Sequence, residues 1–219
     1  MNIMEAVKAR HSVRAYTDQR IEGTVREELQ AYIKQCNEES GLHMQLILDE
    51  DTAFGGRMAR YGKFSGVRNY IAVIGKKGCE EDCGYYGEKV VLKAQQLGLH
   101  TCWVGLTYKK VKSAYQRKDG EKLHLVIAVG YGAMPGKAHL SKPKEKVTDN
   151  WDQQPEWFQN GVSCALLAPT ALNQQKFHFS RNGKCVRAKA GIGSYSKVDL
   201  GIAKCHFEIG AGTENFEWE

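Results

Sequence analysis

Two short segments of the chain carry residue types that can bind a phosphorylated, planar ligand. The first, Arg10-His11-Ser12-Val13-Arg14, places two guanidiniums and a hydroxyl within five residues. Arginine offers a two-pronged donor fork that matches phosphate oxygens, and a serine hydroxyl adds a third donor. If this segment is helical or a tight turn, Arg10 and Arg14 converge on one side. The alternative is a basic helix end with solvated arginines, and spacing alone favours that alternative.

The second segment is Ala168-Pro169-Thr170-Ala171-Leu172-Asn173-Gln174-Gln175, a polar loop between an apolar helix and a strand. Its hydroxyl and amide side chains can both donate and accept hydrogen bonds. Together the two segments predict a pocket for a ligand with an anionic phosphate end and a flat end that bears hydrogen-bonding edges.

The composition is ordinary for a globular protein of 219 residues, with 42% hydrophobic and 26% charged residues. No stretch approaches the ~18 consecutive apolar residues that cross a bilayer. The N-terminus lacks the basic segment and long apolar run of a secretory signal. We therefore expect a cytoplasmic protein that does not associate with membranes.

The net charge of +6 raises the question of a nucleic-acid partner. The positive residues are spread along the chain, however, and most of them lie beside acids, as in Pro143-Lys144-Glu145-Lys146. Proteins that bind nucleic acid concentrate their basic residues on one face or stripe. We therefore expect no nucleic-acid partner.

The seven cysteines do not have the spacing of a metal module. Cys79 and Cys83 are separated by three residues, all of them acidic, and no second Cys or His pair follows at zinc-finger spacing. Neighbouring acids also disfavour the thiolate form that binds metals. We expect reduced thiols and no metal site.

Hydrophobic periodicity and turn residues predict alternating helices and strands. The Asn182-Gly183 pair between two short alternating runs predicts a hairpin. The order of the elements favours an α+β fold around one sheet. The predicted helices are 3–9, 22–39, 84–97, 155–167 and 198–209, and the predicted strands are 43–48, 70–74, 101–105, 123–129 and the two hairpin arms, 176–180 and 184–189.

The run Gly130-Tyr131-Gly132-Ala133-Met134-Pro135-Gly136 follows a predicted strand and is superficially like a dinucleotide-binding fingerprint. Its third glycine is one residue late, and Pro135 and the polar residues after it leave no helix whose N-terminus could bind a pyrophosphate. We interpret the run as a strand exit.

Three motifs together resemble those of the FMN-dependent nitroreductase family, where FMN is flavin mononucleotide. Arg10–Arg14 resembles the opening motif of that family, and Gln95–Gly105 resembles its later segment that leads from a helix to the flavin. The loop 168–175 is similar to the family's loop of Ala-Pro-Ser-Ser-x-Asn-x-Gln type. The resemblance covers most of residues 1–147 and then 155–179.

The order of the motifs differs from that of an ordinary family member, in which the Ala-Pro-Ser loop follows soon after the N-terminal motif and reaches the partner subunit's flavin. Here the early position, Glu38-Glu39-Ser40-Gly41-Leu42, lacks the motif. This order resembles nitroreductase-like proteins with two half-units in one chain. It implies an N-terminal half of residues 1–147 and a C-terminal half of residues 148–219 that completes the flavin site, in a monomeric pseudo-dimer or a homodimer.

The resemblance implies an α+β fold with a nitroreductase-like mixed sheet flanked by helices. It also implies an oxidoreductase that passes electrons from NAD(P)H through bound FMN to a small acceptor such as a nitroaromatic or a quinone, with no catalytic side chain. The alternatives are a protein that binds or sequesters flavin without efficient turnover, and an interaction domain with a decayed cofactor pocket. The implied site residues are Arg10, His11, Ser12 and Arg14 at the phosphate and ribityl end, Val104 and Gly105 beside the flavin N5, and Thr170, Ala171 and Asn173 in the C-terminal half.

Overall fold

The computed structural model describes all 219 residues and has an α+β fold, which confirms the predicted class. None of its helices combines the length and the apolarity that a membrane span requires. The helices are α1 Ile3–Ala9, α2 Gly23–Ser40, α3 Arg57–Tyr61, α4 Glu80–Gln96, α5 Glu156–Ala165 and α6 Ser196–Ala211. The strands are β1 Gln45–Ile47, β2 Tyr70–Lys76, β3 His100–Val104, β4 Glu121–Gly130, β5 Phe177–Asn182, β6 Cys185–Ala190 and β7 Glu217–Trp218.

The strands form two sheets, so the expectation of a single sheet is wrong. Four strands in the order β1-β2-β4-β3 make a wholly antiparallel sheet. The predicted hairpin, β5 and β6, gains a parallel neighbour in β7 and makes a separate three-stranded sheet. The hairpin was predicted, but the two-residue strand β7 is too short for a period-two pattern, so nothing in the sequence indicated that the hairpin belongs to a separate sheet.

The chain forms two compact units, neither of which is one continuous stretch. The sheet unit contains residues 9–79 and 89–138 and holds the four-stranded sheet. The helix-pair unit contains residues 1–8, 80–88 and 139–219 and holds α5, α6 and the smaller sheet. A functional division into residues 1–147 and 148–219 remains a proposal.

The sheet unit is built on β2 and β4, its two central strands. Their apolar residues form continuous runs because these strands are buried, as Tyr70 to Ile74 and Val126 to Val129 show. The strands pair antiparallel with Ile71 opposite Ile127. The outer strand β3 pairs with β4 through Trp103 and Ile127, which leaves the other edge of β3 open to a further segment.

The helix-pair unit has an aromatic core. The ring of Phe207 in α6 stacks on Phe179 of β5 at a centroid distance of 4.7 Å and meets Phe158 of α5 edge-on at 5.5 Å. The two helices approach closely because α5 has a glycine at the crossing: a Cβ at Gly161 would lie 2.7 Å from the Phe207 ring. This packing fixes the C-terminal end of α5, from which the loop 168–175 continues.

Candidate functional site

The Arg10–Arg14 segment is extended and runs along the open edge of β3. Ser12 forms a parallel bridge with Thr101, and the Val13 N–H donates to the Thr101 carbonyl at 3.0 Å. The sequence left the conformation of the segment open, and the pairing with β3 shows that it is not helical around Ser12. In an extended backbone, alternate side chains point to the same face. Arg10, Ser12 and Arg14 are alternate residues, so an extended segment places them on a shared face, as a helix or a tight turn would do for Arg10 and Arg14.

The thiol of Cys102 in β3 is the common neighbour of these three side chains. Burial raises the pKa of this thiol, and the charge of Arg14, a hydrogen bond with Ser12 and the charge of Arg10 oppose that rise. Val13, the residue between Ser12 and Arg14, instead belongs to the hydrophobic core of the unit. Val13 therefore packs in the core, whereas Arg10, Ser12 and Arg14 bring two guanidiniums and a hydroxyl to the Cys102 thiol, which is itself part of that core.

The two arginines differ in their exposure. Arg14 is exposed, and its guanidinium carbon lies 5.9 Å from the centroid of the Phe64 ring. Arg10 is only 3% exposed. Arg14 is therefore the guanidinium that a ligand reaches most readily in this conformation, and a direct ligand contact of Arg10 remains a prediction.

His11 and Ser12 are half-buried and lie against the glycine-rich run that follows β4. A Cβ at Gly136 would lie 2.5 Å from the Cβ of His11 and 3.1 Å from the carbonyl oxygen of Ser12. No helix begins after this run until residue 144. The strand-exit interpretation is therefore confirmed, and Gly136 provides close packing against the motif.

Val104 and Gly105 lie at the end of the same edge strand. Val104 is the last residue of β3 and is buried, and Gly105 follows it outside the strand. Ser12 pairs with Thr101, three residues before Val104. The structure thus brings the phosphate-binding candidates and the Val104–Gly105 backbone together in the sheet unit, along one strand.

Thr170, Ala171 and Asn173 belong to the helix-pair unit, in a loop with an unusual backbone. Leu172, Asn173 and Gln175 have φ angles of 52°, 54° and 44°, in the left-handed region. A non-glycine residue in this region costs about 1–2 kcal/mol. Three such residues within four positions require strong bracing by the surrounding structure.

Side chains of the loop provide part of this bracing. The Gln175 side chain is buried, and its amide nitrogen donates to the Leu140 carbonyl and to Asn173 Oδ1, both at 2.8 Å. The Asn173 amide nitrogen donates to the same Leu140 carbonyl at 2.9 Å. The Thr170 hydroxyl accepts the Gln175 N–H at 3.0 Å. The polar side chains that we expected to face a ligand thus hold the loop together.

Lys142 also lies against this loop. Its backbone N–H donates to Gln175 Oε1 at 2.8 Å, and its ammonium donates to the Gln175 carbonyl at 3.1 Å. The ammonium of Lys144 instead lies 4.2 Å from the centroid of the Trp151 ring. Lys142 is therefore a further brace of the loop.

Asp199, in the first turn of α6, also contacts this loop, and the sequence did not predict it as part of the candidate site. Its Oδ1 accepts the Ala171 N–H at 2.9 Å, while its Oδ2 is buried and has no hydrogen-bond partner. The side chain is 3% exposed, and burial raises the pKa of the carboxyl to about 6 from the ordinary 3.8, against the lowering effect of the Ala171 N–H. The sequence did contain a hint of this role, because Asp199 is an acid beside Val198 and Ile202 on the apolar face of a predicted helix.

Cys79 has a histidine neighbour that the spacing analysis did not include. Its thiol donates to the Lys76 carbonyl at 2.9 Å, and its sulfur lies 3.5 Å from Nε2 of His124. Sulfur and imidazole nitrogen are both ligands that zinc accepts. The absence of a metal at Cys79 and Cys83 therefore remains a prediction that needs a measurement.

The chain belongs to the family described as "Putative TM nitroreductase", whose model matches residues 2–211. This match confirms the resemblance that the three motifs carry. No curated protein matches the chain.

Several solved structures share the fold of this chain. A putative nitroreductase from Thermotoga maritima MSB8 is 23% identical with a TM-score of 0.68, and the match covers 96% of this chain and 83% of that one. An FMN-dependent nitroreductase from Clostridium difficile R20291 is 19% identical with a TM-score of 0.51, over 67% of this chain and 98% of that one. A putative nitroreductase in complex with FMN from Exiguobacterium sibiricum 255-15 is 15% identical with a TM-score of 0.50, over 65% of this chain and 94% of that one.

Proposed function

We propose that this protein binds FMN and acts as an FMN-dependent oxidoreductase. The observation that carries the proposal is the face formed by Arg10, Ser12 and Arg14 on the extended segment beside β3. Family membership supports it, as do the FMN-dependent and FMN-bound proteins of the same fold.

The residues present suit the two chemically different ends of FMN. Two guanidiniums and a hydroxyl suit a phosphate, because charge-assisted hydrogen bonds to phosphate oxygens are strong and directional. Gly105 has no side chain, which lets a planar ring approach the main chain after β3. By resemblance to the family, we assign the ring end also to the Thr170–Asn173 loop. Since the side chains of Thr170 and Asn173 brace that loop, its main chain is the part that we expect to meet the ring.

Bound FMN would supply the redox chemistry, taking a hydride from NAD(P)H and passing electrons to a small acceptor such as a nitroaromatic or a quinone. Arg14 and Ser12 would offset the charge of the phosphate and orient the cofactor from that end. The main chain at Val104 and Gly105 would restrict the orientation of the flavin ring. We assign no side chain as a catalytic acid or base.

Flavin titration tests the binding part of this proposal. We expect FMN to bind more tightly than riboflavin, since riboflavin lacks the phosphate, and Arg14→Ala to weaken FMN by about tenfold or more while riboflavin is unaffected. Arg20→Ala is the matched control, because Arg20 is an exposed arginine of the same unit that lies 3.8 Å from Asp49. Equal affinity of the wild-type protein for FMN and riboflavin would refute the phosphate assignment.

Turnover distinguishes an oxidoreductase from a protein that only binds flavin. The FMN-loaded protein should oxidise NADH or NADPH when a quinone or a nitroaromatic is present. Tight FMN binding without oxidation of either nucleotide would support the sequestering function instead. Absorbance of the nucleotide at its reduced-form band measures this directly.

A further inference from the structure

We propose that Asp199 is a positioning residue for the Thr170–Asn173 loop and, through this loop, for the ring end of a bound flavin. This inference rests on the proposed function, because the loop's contact with flavin belongs to that proposal. The inference adds a residue of α6, which the sequence did not predict, to the candidate site.

The backbone of the loop needs an external anchor. The φ angles of Leu172, Asn173 and Gln175 are all positive, so the conformation does not persist by local preference alone. The side-chain braces come from Gln175 and Lys142 and act at the C-terminal end of the loop. Asp199 acts at the other end, where its Oδ1 accepts the N–H of Ala171, the residue immediately before the first strained position.

Asp199 makes this contact at an energetic cost to the fold. Its Oδ2 is buried without a partner, and a buried polar atom with no hydrogen bond destabilises the folded protein. A neutral side chain at this place would avoid that cost. Such local costs are concentrated at functional sites, where a fixed geometry matters more than stability.

The contact between Asp199 and Ala171 also explains how the loop can offer its main chain to the flavin ring. Asn173 and Thr170 use their side chains inside the loop, and Leu172 is 96% exposed. The Asn173 and Gln174 N–H groups donate to the Thr170 and Ala171 carbonyls at 2.9 and 3.0 Å, and Asp199 holds the Ala171 N–H that lies at the base of this turn. Loss of the Asp199 oxygen should therefore loosen this turn before it affects the aromatic core.

The experiment compares Asp199→Ala, which removes the acceptor, with Asp199→Asn, which keeps one. Asp152→Asn is the control, because Asp152 is an exposed aspartate of the same unit. Hydrogen–deuterium exchange of the peptide containing Ala171, measured without flavin, should be faster by about tenfold or more in Asp199→Ala and nearly unchanged in Asp199→Asn and the control. If Asp199→Ala does not fold, Asp199→Glu replaces it, since it keeps the charge but moves the oxygen by one methylene.

Flavin affinity then separates a positioning role from a purely structural one. Asp199→Ala should weaken FMN and riboflavin by the same factor, about tenfold, because the ring end is common to both, whereas Arg14→Ala should weaken FMN alone. Asp199→Asn should restore affinity to within about threefold of the wild type. Faster exchange with unchanged affinity for both flavins would overturn the positioning role, and so would unchanged exchange. If the wild-type protein binds neither flavin, the proposed function fails and this role fails with it, although faster exchange in Asp199→Ala would still show that the Ala171 contact exists.

Discussion

The cost of burying the Asp199 carboxyl should be visible as a pH-dependent difference in stability between the wild-type protein and Asp199→Asn. The pKa of this carboxyl is about 6 in the folded protein and 3.8 for the ordinary, solvated group. One pKa unit corresponds to about 1.4 kcal/mol, so the difference corresponds to about 3 kcal/mol of folding free energy. The side chain is 3% exposed, and solvent screening therefore reduces this value little.

The sign follows from which state holds the proton. As the pH rises above 3.8, the unfolded chain loses the Asp199 proton first, while the folded chain keeps it until about pH 6. The folded state therefore binds more protons in this window, and the free energy of unfolding falls as the pH rises. The stabilising contribution is complete below the unfolded pKa and is lost as the pH passes through the folded one. This direction is opposite to that of a carboxylate in an ion pair.

Urea denaturation followed by tryptophan fluorescence can measure the effect, because the chain has four tryptophans. The free energy of unfolding of Asp199→Asn minus that of the wild type should rise by about 3 kcal/mol between about pH 3.5 and about pH 7.5. A difference in packing between asparagine and aspartate would shift this free-energy difference equally at every pH, so it does not affect the rise. Asp152→Asn should show no comparable rise. If the free energies of unfolding of the wild type and of Asp199→Asn changed in parallel with pH, the argument that the carboxyl is buried at an energetic cost would be refuted.

Three further predictions concern other parts of the candidate site. Asn173→Ala removes hydrogen bonds to Leu140 and Gln175, and it should weaken FMN and riboflavin by similar factors in a fluorescence titration; a selective loss of FMN would contradict this. Gly136→Ala places a methyl group against His11, and it should lower the free energy of unfolding by about 1–3 kcal/mol in urea denaturation, whereas an unchanged value would show that the segment yields easily. Metal analysis of protein purified without added zinc should find far less than one equivalent; one equivalent that disappears in Cys79→Ser but persists in Cys185→Ser would show that Cys79 binds it.

The sequence predicted the long elements well and left the conformation of the short motif undecided. The predicted helix 22–39 and strand 70–74 correspond to α2 and β2, because both have a clear period or a continuous apolar run. The Arg10–Arg14 segment was different, because residues at positions i, i+2 and i+4 share a face in a strand, while i and i+4 also share one in a helix. Spacing alone could not separate the two, and pairing with Thr101 decided between them.

The candidate site was predicted as a set of residues, but the roles of several of them depend on contacts distant in sequence. Nothing in the order Thr170 to Gln175 shows that the carbonyl of Leu140 accepts two of the loop's amide donors. Asp199 lies 28 residues from Ala171, and only the packing of α6 brings its carboxyl to that N–H. Residue types therefore indicated where chemistry is possible, and tertiary packing determined which groups remain available for it.

The difference between the two parts of the candidate site has a physical reason. A phosphate carries charge, and the proposed phosphate end relies on side chains such as Arg14, which is exposed and can adjust to a ligand. A flat ring has few groups to bind, so its recognition depends on surfaces that keep their shape. The first requirement leaves a signature in the sequence as a cluster of arginines. In our proposal the second is met by a strained main chain, which residues distant in sequence such as Asp199 hold in place, and the buried carboxyl of Asp199 does so at a cost to the fold.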